Sequence, residues 1–79
     1  MSKEDIILTI CFAASHKCSW DLRFTKFDVF YFLGRKVAME NIEEIFKILY
    51  DKGFIHRCGE YGDWLVSEKG EQYIIKAVT

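Results

Sequence analysis

His16-Lys17-Cys18 and His56-Arg57-Cys58 form two His-x-Cys pairs, four side chains of the types that hold a tetrahedral zinc ion. They would meet only if the loop after the first helix reached a β-strand, where residues i and i+2 share a face. The spacing is not one of the usual zinc-finger patterns, so we read buried thiols and partly exposed imidazoles and expect no metal or other cofactor. No nucleophile stands beside an orienting base, no Gly-rich loop would cradle phosphate, and no motif assigns roles to carboxylates; an enzyme is not expected. What remains is the chemistry of charge. Arg23, Lys26, Arg35 and Lys36 flank one helical segment, and Arg57 and Lys69 come later. On a shared face they would make a modest phosphate-contacting patch.

The charge balance limits that chemistry. Net charge is −1, so nucleic acid is not held through overall positive charge, and any such face must be local. Residues 1–37 carry six bases and four acids, and residues 38–79 five bases and eight acids. Three cysteines, an odd number, make no closed disulfide framework, and no secretory leader is read before them, which suggests a reducing, cytoplasmic setting. The longest apolar stretch, Ile6 to Ala14, is interrupted by Thr9 and falls far short of the ~20 residues that span a bilayer. A soluble protein without membrane contact is expected. With 79 residues, no repeat and no Pro-, Gly- or Ser-rich linker, the chain reads as a single domain over 1–79.

The elements that must position these residues follow from capping and periodicity. Ser2 suits an N-cap, Glu4 and Asp5 favour the positive end of a helix, and a first helix is expected over Lys3 to Ala14 with Ile6, Ile7, Ile10, Cys11 and Ala14 inward. Leu22-Arg23-Phe24 alternates as a brief edge strand. Thr25 and Asp28 have capping-box spacing, so a second helix opens at Lys26 and runs through Val29, Phe30 and Leu33 to Gly34. Ile42, Ile45, Phe46 and Leu49 make the stripe of a third helix over about Met39 to Asp51, with Gly53 and Phe54 as its Schellman exit. Phe54 to Cys58 and Trp64 to Val66 read as a hairpin around Gly59 to Asp63. Ser67 caps a short last helix with Tyr73, Ile74 and Val78 on one side. Trp20, Phe24, Phe27, Phe30 and Phe32 crowd one stretch, more rings than a small core accommodates, so Phe27 and Phe32, or the last helix, are expected to face a partner.

This order resembles the winged helix-turn-helix family over nearly the whole chain. Leu33-Gly34 looks like the turn between helices 2 and 3, and Ile42 to Ile55 is similar to a recognition helix with a Leu-x-x-x-Gly-hydrophobic-Ile exit, filled by Leu49, Gly53, Phe54 and Ile55. Trp64-Leu65-Val66-Ser67-Glu68-Lys69-Gly70 looks like a wing strand passing through Leu-Thr-Glu-Lys-Gly into the final helix, with Ser67 for the usual Thr. The stretch from Gly34 to Ile42 is longer than the compact family turn. The resemblance implies an α+β winged helix: a three-helix core, a short strand before helix 2, a two-stranded wing and a C-terminal helix. It also implies a DNA-binding transcriptional regulator of small bacterial, archaeal or viral type, a homodimer, with helix 3 in the major groove of double-stranded DNA and the wing beside it. Met39, Asn41 and Lys47 of helix 3 would then face DNA, Asn41 reading adenine and Lys47 meeting phosphate. Lys26, Arg35, Lys36 and Arg57 would add phosphate contacts, and Tyr61 at the wing tip would stack. Glu40, Glu43 and Glu44 oppose this, since carboxylates repel a phosphate backbone. They favour the alternative of a protein-interaction module, a complex subunit or small virus-encoded inhibitor, docking an acidic helix 3 on a basic partner.

Overall fold

The computed structural model describes residues 2–16 and 21–78. Within them the chain is an α+β domain of four helices and one two-stranded antiparallel sheet, in the order α1 (Lys3–Ser15), α2 (Lys26–Phe32), α3 (Met39–Asp51), β1 (Ile55–Cys58), β2 (Asp63–Val66) and α4 (Glu68–Val78). No helix among the described residues is long and apolar enough to cross a membrane.

The Thr25 box forms as its spacing requires, and Ser2, expected as an N-cap, completes a second box with Asp5. Ser2 and Asp5 satisfy one another's orphan groups ahead of α1, and Thr25 and Asp28 do so ahead of α2. At the far end of α2 the expected last residue, Leu33, is the C-cap instead, and Gly34 adopts φ +65°. Its N–H donates to the Tyr31 carbonyl while that of Arg35 reaches Phe30, the paired bonds of a Schellman closure. Arg35 is itself left-handed at φ 63°. Two consecutive residues of that kind, followed by Val37 packed on the core, use up the long connection from Gly34 to α3. Ala38 begins α3 without a side-chain cap.

The core is built from Ile7, Leu8, Cys11 and Ala14 of α1, Phe24, Val29 of α2, Ile42, Ile45, Phe46 and Leu49 of α3, Ile55 of β1 and Ile74 of α4. All four expected α3 positions are inside. On α1 the buried stripe is Ile7, Leu8, Cys11, Ala14 and Ser15, so Leu8 takes the place expected for Ile6, which is exposed. A helix apolar nearly all round gives its periodicity no single phase, and packing against α2, α3 and α4 sets it. Burial pushes the Cys11 thiol far above its ordinary pKa, as for a small core hydrophobe.

The expected edge strand Leu22-Arg23-Phe24 contracts to one bridge. Phe24 and Trp64 exchange both backbone hydrogen bonds, at 2.9 and 2.8 Å, and pairing stops there. On one side Asp21 chelates the Arg23 guanidinium and accepts from the Arg23 backbone N–H. On the other, the Thr25 cap turns the chain into α2. The single bridge still fixes the hairpin against the helices, because Phe24 is wholly buried edge-on to Phe46.

The α3 exit and the α4 entry interlock. Phe54 N–H donates to the Leu49 carbonyl and Gly53 N–H to Tyr50, with Gly53 at φ +78°. Ser67 caps α4 by accepting from Gly70 N–H, while its hydroxyl donates to the Gly53 carbonyl and its N–H to the Phe54 carbonyl. Lys69 Nζ donates to the Lys52 carbonyl at the helix end and lies 5.6 Å over the Phe54 ring. The two sequence segments singled out above are thus one junction. Tyr73 stacks on Phe54 and donates to Asp5, tying α4 to the start of α1. The Val78 side chain and Trp20, both named in the sequence reading, lie outside the described residues.

Candidate nucleic-acid interface

The hairpin register sets one wall of the site. Ile55 pairs with Val66, His56 with Leu65, Arg57 with Trp64 and Cys58 with Asp63, so side-chain alternation puts Arg57 and Trp64 on the same face as buried Ile55. The Arg57 guanidinium lies 5.4 Å over the Trp64 ring. The opposite wall comes from α3. Glu43, Phe46, Lys47 and Tyr50 recur at i, i+3, i+4 and i+7, a stripe turned toward the hairpin from the core stripe. Lys26, the first residue of α2, closes one end, and Gly62 in the hairpin turn the other.

The result is a groove of about 430 Å³ in which Lys26, Lys47 and Arg57 face Glu43 as its one carboxylate. Lys26 Nζ and Glu43 Oε1 pair at 2.9 Å. That pair is half exposed and contributes little to stability, but it neutralises the acidic side chain nearest the groove. Lys47 makes no ion pair among the described residues. Trp64 meets the rings of Phe46 and Tyr50 edge-on at 5.6 and 5.9 Å, which makes the wall aromatic from its floor to its rim.

Comparison with protein families, with curated proteins and with solved structures gives no match to this chain. The geometry of its own residues therefore carries the functional argument.

Of the residues read from the sequence as DNA contacts, the structure brings together Lys26, Lys47 and Arg57. Tyr61 sits beside Gly62 at the hairpin tip, 89% exposed and free to reach a ligand on the groove. Met39 is half-buried in the first turn of α3, four residues before Glu43 on that side. Asn41 is exposed but lies about 120° around α3 from Lys47, on the flank away from the hairpin. Arg35 and Lys36 stand at the other end of α2 from Lys26, and Arg35 packs 5.0 Å over Tyr31, so neither joins the groove. Arg23 is held by Asp21 at 2.9 Å and by Asp63 at 3.9 Å, which together raise its pKa and spend its charge internally. Glu40, Glu44 and Asp51 are exposed on the outward side of α3. Sequence reading missed Tyr50 and Trp64 as site residues. Tyr50 follows the core residue Leu49, and only the i, i+7 relation to Glu43 would have marked it.

The two His-x-Cys pairs fare differently. His16 and His56 line a second cavity of about 240 Å³ with Glu71, Leu22 and Leu65, and His16 Nδ1 is bound to the Phe12 carbonyl at 2.8 Å. Both imidazoles are exposed and Cys58 is half-buried, while Cys18 lies outside the described residues. Among the described residues no three His, Cys, Asp or Glu side chains come together as a metal site.

Proposed function

We propose that the chain is a winged-helix domain that binds double-stranded DNA as a sequence-specific transcriptional regulator, with α3 as recognition helix and the β1–β2 hairpin as wing. The observation that carries the reading is the convergence of Lys26, Lys47 and Arg57, with the Tyr50 and Trp64 rings, on one groove of a chain that is net acidic. The order of three helices, hairpin and final helix, with Phe24 bridged to the hairpin, supports the winged-helix topology.

A helix with its side chains is about 10–12 Å across and fills a major groove about 12 Å wide, so both flanks of α3 meet DNA at once. Lys47 then contacts phosphate on the wing side, where Met39 stands in the first turn, and Asn41 reaches base edges on the other. Glu40 and Glu44 point to the groove floor, where a carboxylate accepts from a cytosine amino group. Exposed Phe27, Tyr31 and Phe32 on α2 supply apolar area for a homodimer.

Fluorescence anisotropy with labelled duplex DNA over a salt series tests the reading. Binding that falls steeply with salt, and a shallower salt slope for Lys47→Ala with Arg57→Ala, is expected. A second reading rests on the outward side of α3, where Glu40, Glu44 and Asp51 make no ion pair among the described residues. A folded sample that ignores duplex DNA at low salt would favour this module for a basic protein partner.

A further inference from the structure

We propose that the groove between α3 and the hairpin takes one unpaired nucleotide, directing the domain to DNA with a single-stranded end or junction; this rests on the DNA reading above. About 430 Å³ lies in the range of small-molecule sites, room for one nucleotide, whereas a duplex lies across such a groove without entering it.

Tyr50 is the half-exposed ring of the groove, backed edge-on by Trp64, whose face Arg57 covers, and by buried Phe46. Aromatic rings bind bases by their π-faces, and in a duplex those faces are stacked on one another with only edges showing in the grooves. The Tyr50 ring therefore finds its stacking partner in a base that has left the stack. Lys47 and Arg57 at the rim meet the flanking phosphates.

Glu43 is a carboxylate that phosphate would repel. One of its oxygens accepts from Lys26, and the group has no other hydrogen bond among the described residues. An acceptor placed beside a stacking wall suits a base that offers amino donors. Cytosine, adenine and guanine carry an exocyclic amino group, whereas the one donor of thymine, N3–H, is flanked by two carbonyl oxygens that repel a carboxylate. Glu43 thus acts as the groove's base reader, held in position by Lys26, and the pocket discriminates against thymine.

The test is anisotropy at one fixed salt concentration with the full chain, comparing a blunt hairpin duplex with the same duplex carrying a short 3′ overhang of dC or of dT. The dC overhang is expected to bind roughly five- to hundredfold tighter than the blunt form, the range that one base stacked on an aromatic side chain contributes. Tyr50→Ala, at an exposed helix position that leaves the core intact, should bring the ratio of overhang to blunt-duplex affinity down to about one, whatever the blunt-duplex affinity itself becomes. Glu43→Gln should bind all three DNAs at least as well while losing the dC over dT preference. Equal affinity of the wild type for blunt and overhang DNA would overturn the nucleotide pocket and leave the duplex reading standing. No binding to any of the three by a folded sample would overturn both.

Discussion

Gly70→Ala should strongly destabilise the domain, although alanine is the better helix former by about 1 kcal/mol. Gly70 is the third residue of α4, buried where that helix crosses the end of α3. A β-carbon there would stand 2.2 Å from the Phe54 carbonyl oxygen, 3.0 Å from its carbon and 3.1 Å from the Phe54 Cα. Backbone cannot rotate away as a side chain would, so α4 and the α3 exit must separate by roughly 1 Å. Overpacking of that kind costs about 1–3 kcal/mol. The shift also strains the bonds from Ser67 to Gly53 and Phe54 and from Lys69 to Lys52, each contributing about 0.5–1.5 kcal/mol. Set against the propensity gain, the net loss is about 2–4 kcal/mol, and at about 4–8 °C per kcal/mol for a chain of this size Tm should fall by roughly 10–30 °C. Thermal unfolding followed by far-UV circular dichroism measures it. A Tm equal to or above that of the wild type would show that α4 does not clasp α3 as described.

Three further outcomes follow from the fold. Thr25→Ala removes the acceptor for Asp28 N–H from a helix of only seven residues, and should lower stability by about 1 kcal/mol in urea, with the midpoint reduced at unchanged m-value. The hydroxyl of Tyr73 donates to Asp5 at 2.7 Å and, with smaller help from the Ser2 bonds, holds that carboxyl below its ordinary pKa. A depressed folded pKa means that the contribution is present above the ordinary carboxylate value and lost as pH falls through the folded one. Tyr73→Phe should therefore raise the Asp5 pKa in an NMR titration and narrow its stability deficit at acid pH; an unmoved Asp5 titration would rule the contact out. Cys11 is fully buried with its thiol pKa raised, so iodoacetamide should label it only as fast as the domain unfolds, and after Cys58. Peptide mass spectrometry would expose the contrary result, comparable labelling of both under native conditions.

The elements were legible wherever a local rule set them. The Ser2 N-cap, the Thr25 box, the glycine exits at Gly34 and Gly53, and the α3 stripe all act within one or two helical turns, and the chain obeys them. On α1 the inward places of Ile7, Cys11 and Ala14 were legible, but the exchange of Leu8 for Ile6 was not, because it is invisible in a run of near-uniform hydropathy. Nor was the extent of the Phe24 pairing, which depends on what Asp21 and Thr25 do with the residues beside it.

The site divides along the same line. Arg57 beside Trp64 follows from hairpin register, which the glycines of the turn suggest. The Lys26–Glu43 pair spans 17 residues and forms only because α2 and α3 pack together. It changes the meaning of the acidic α3: one of the three glutamates is neutralised inside the groove, and Glu40 and Glu44 point elsewhere. Grouping Arg35 and Lys36 with Lys26 followed from nearness in sequence, and the length of α2 separates them.

Chemical-shift mapping of the ¹⁵N-labelled chain on addition of duplex DNA tests the central claim most directly, because it reads the location of contact as well as its existence. Binding through α3 and the hairpin predicts the largest changes at Glu40, Asn41, Glu44, Lys47, Arg57 and Tyr61, with smaller ones at the groove residues Tyr50 and Trp64 behind them. Changes centred instead on Phe27, Tyr31 and Phe32 of α2, or a spectrum untouched by DNA at low salt, would contradict it.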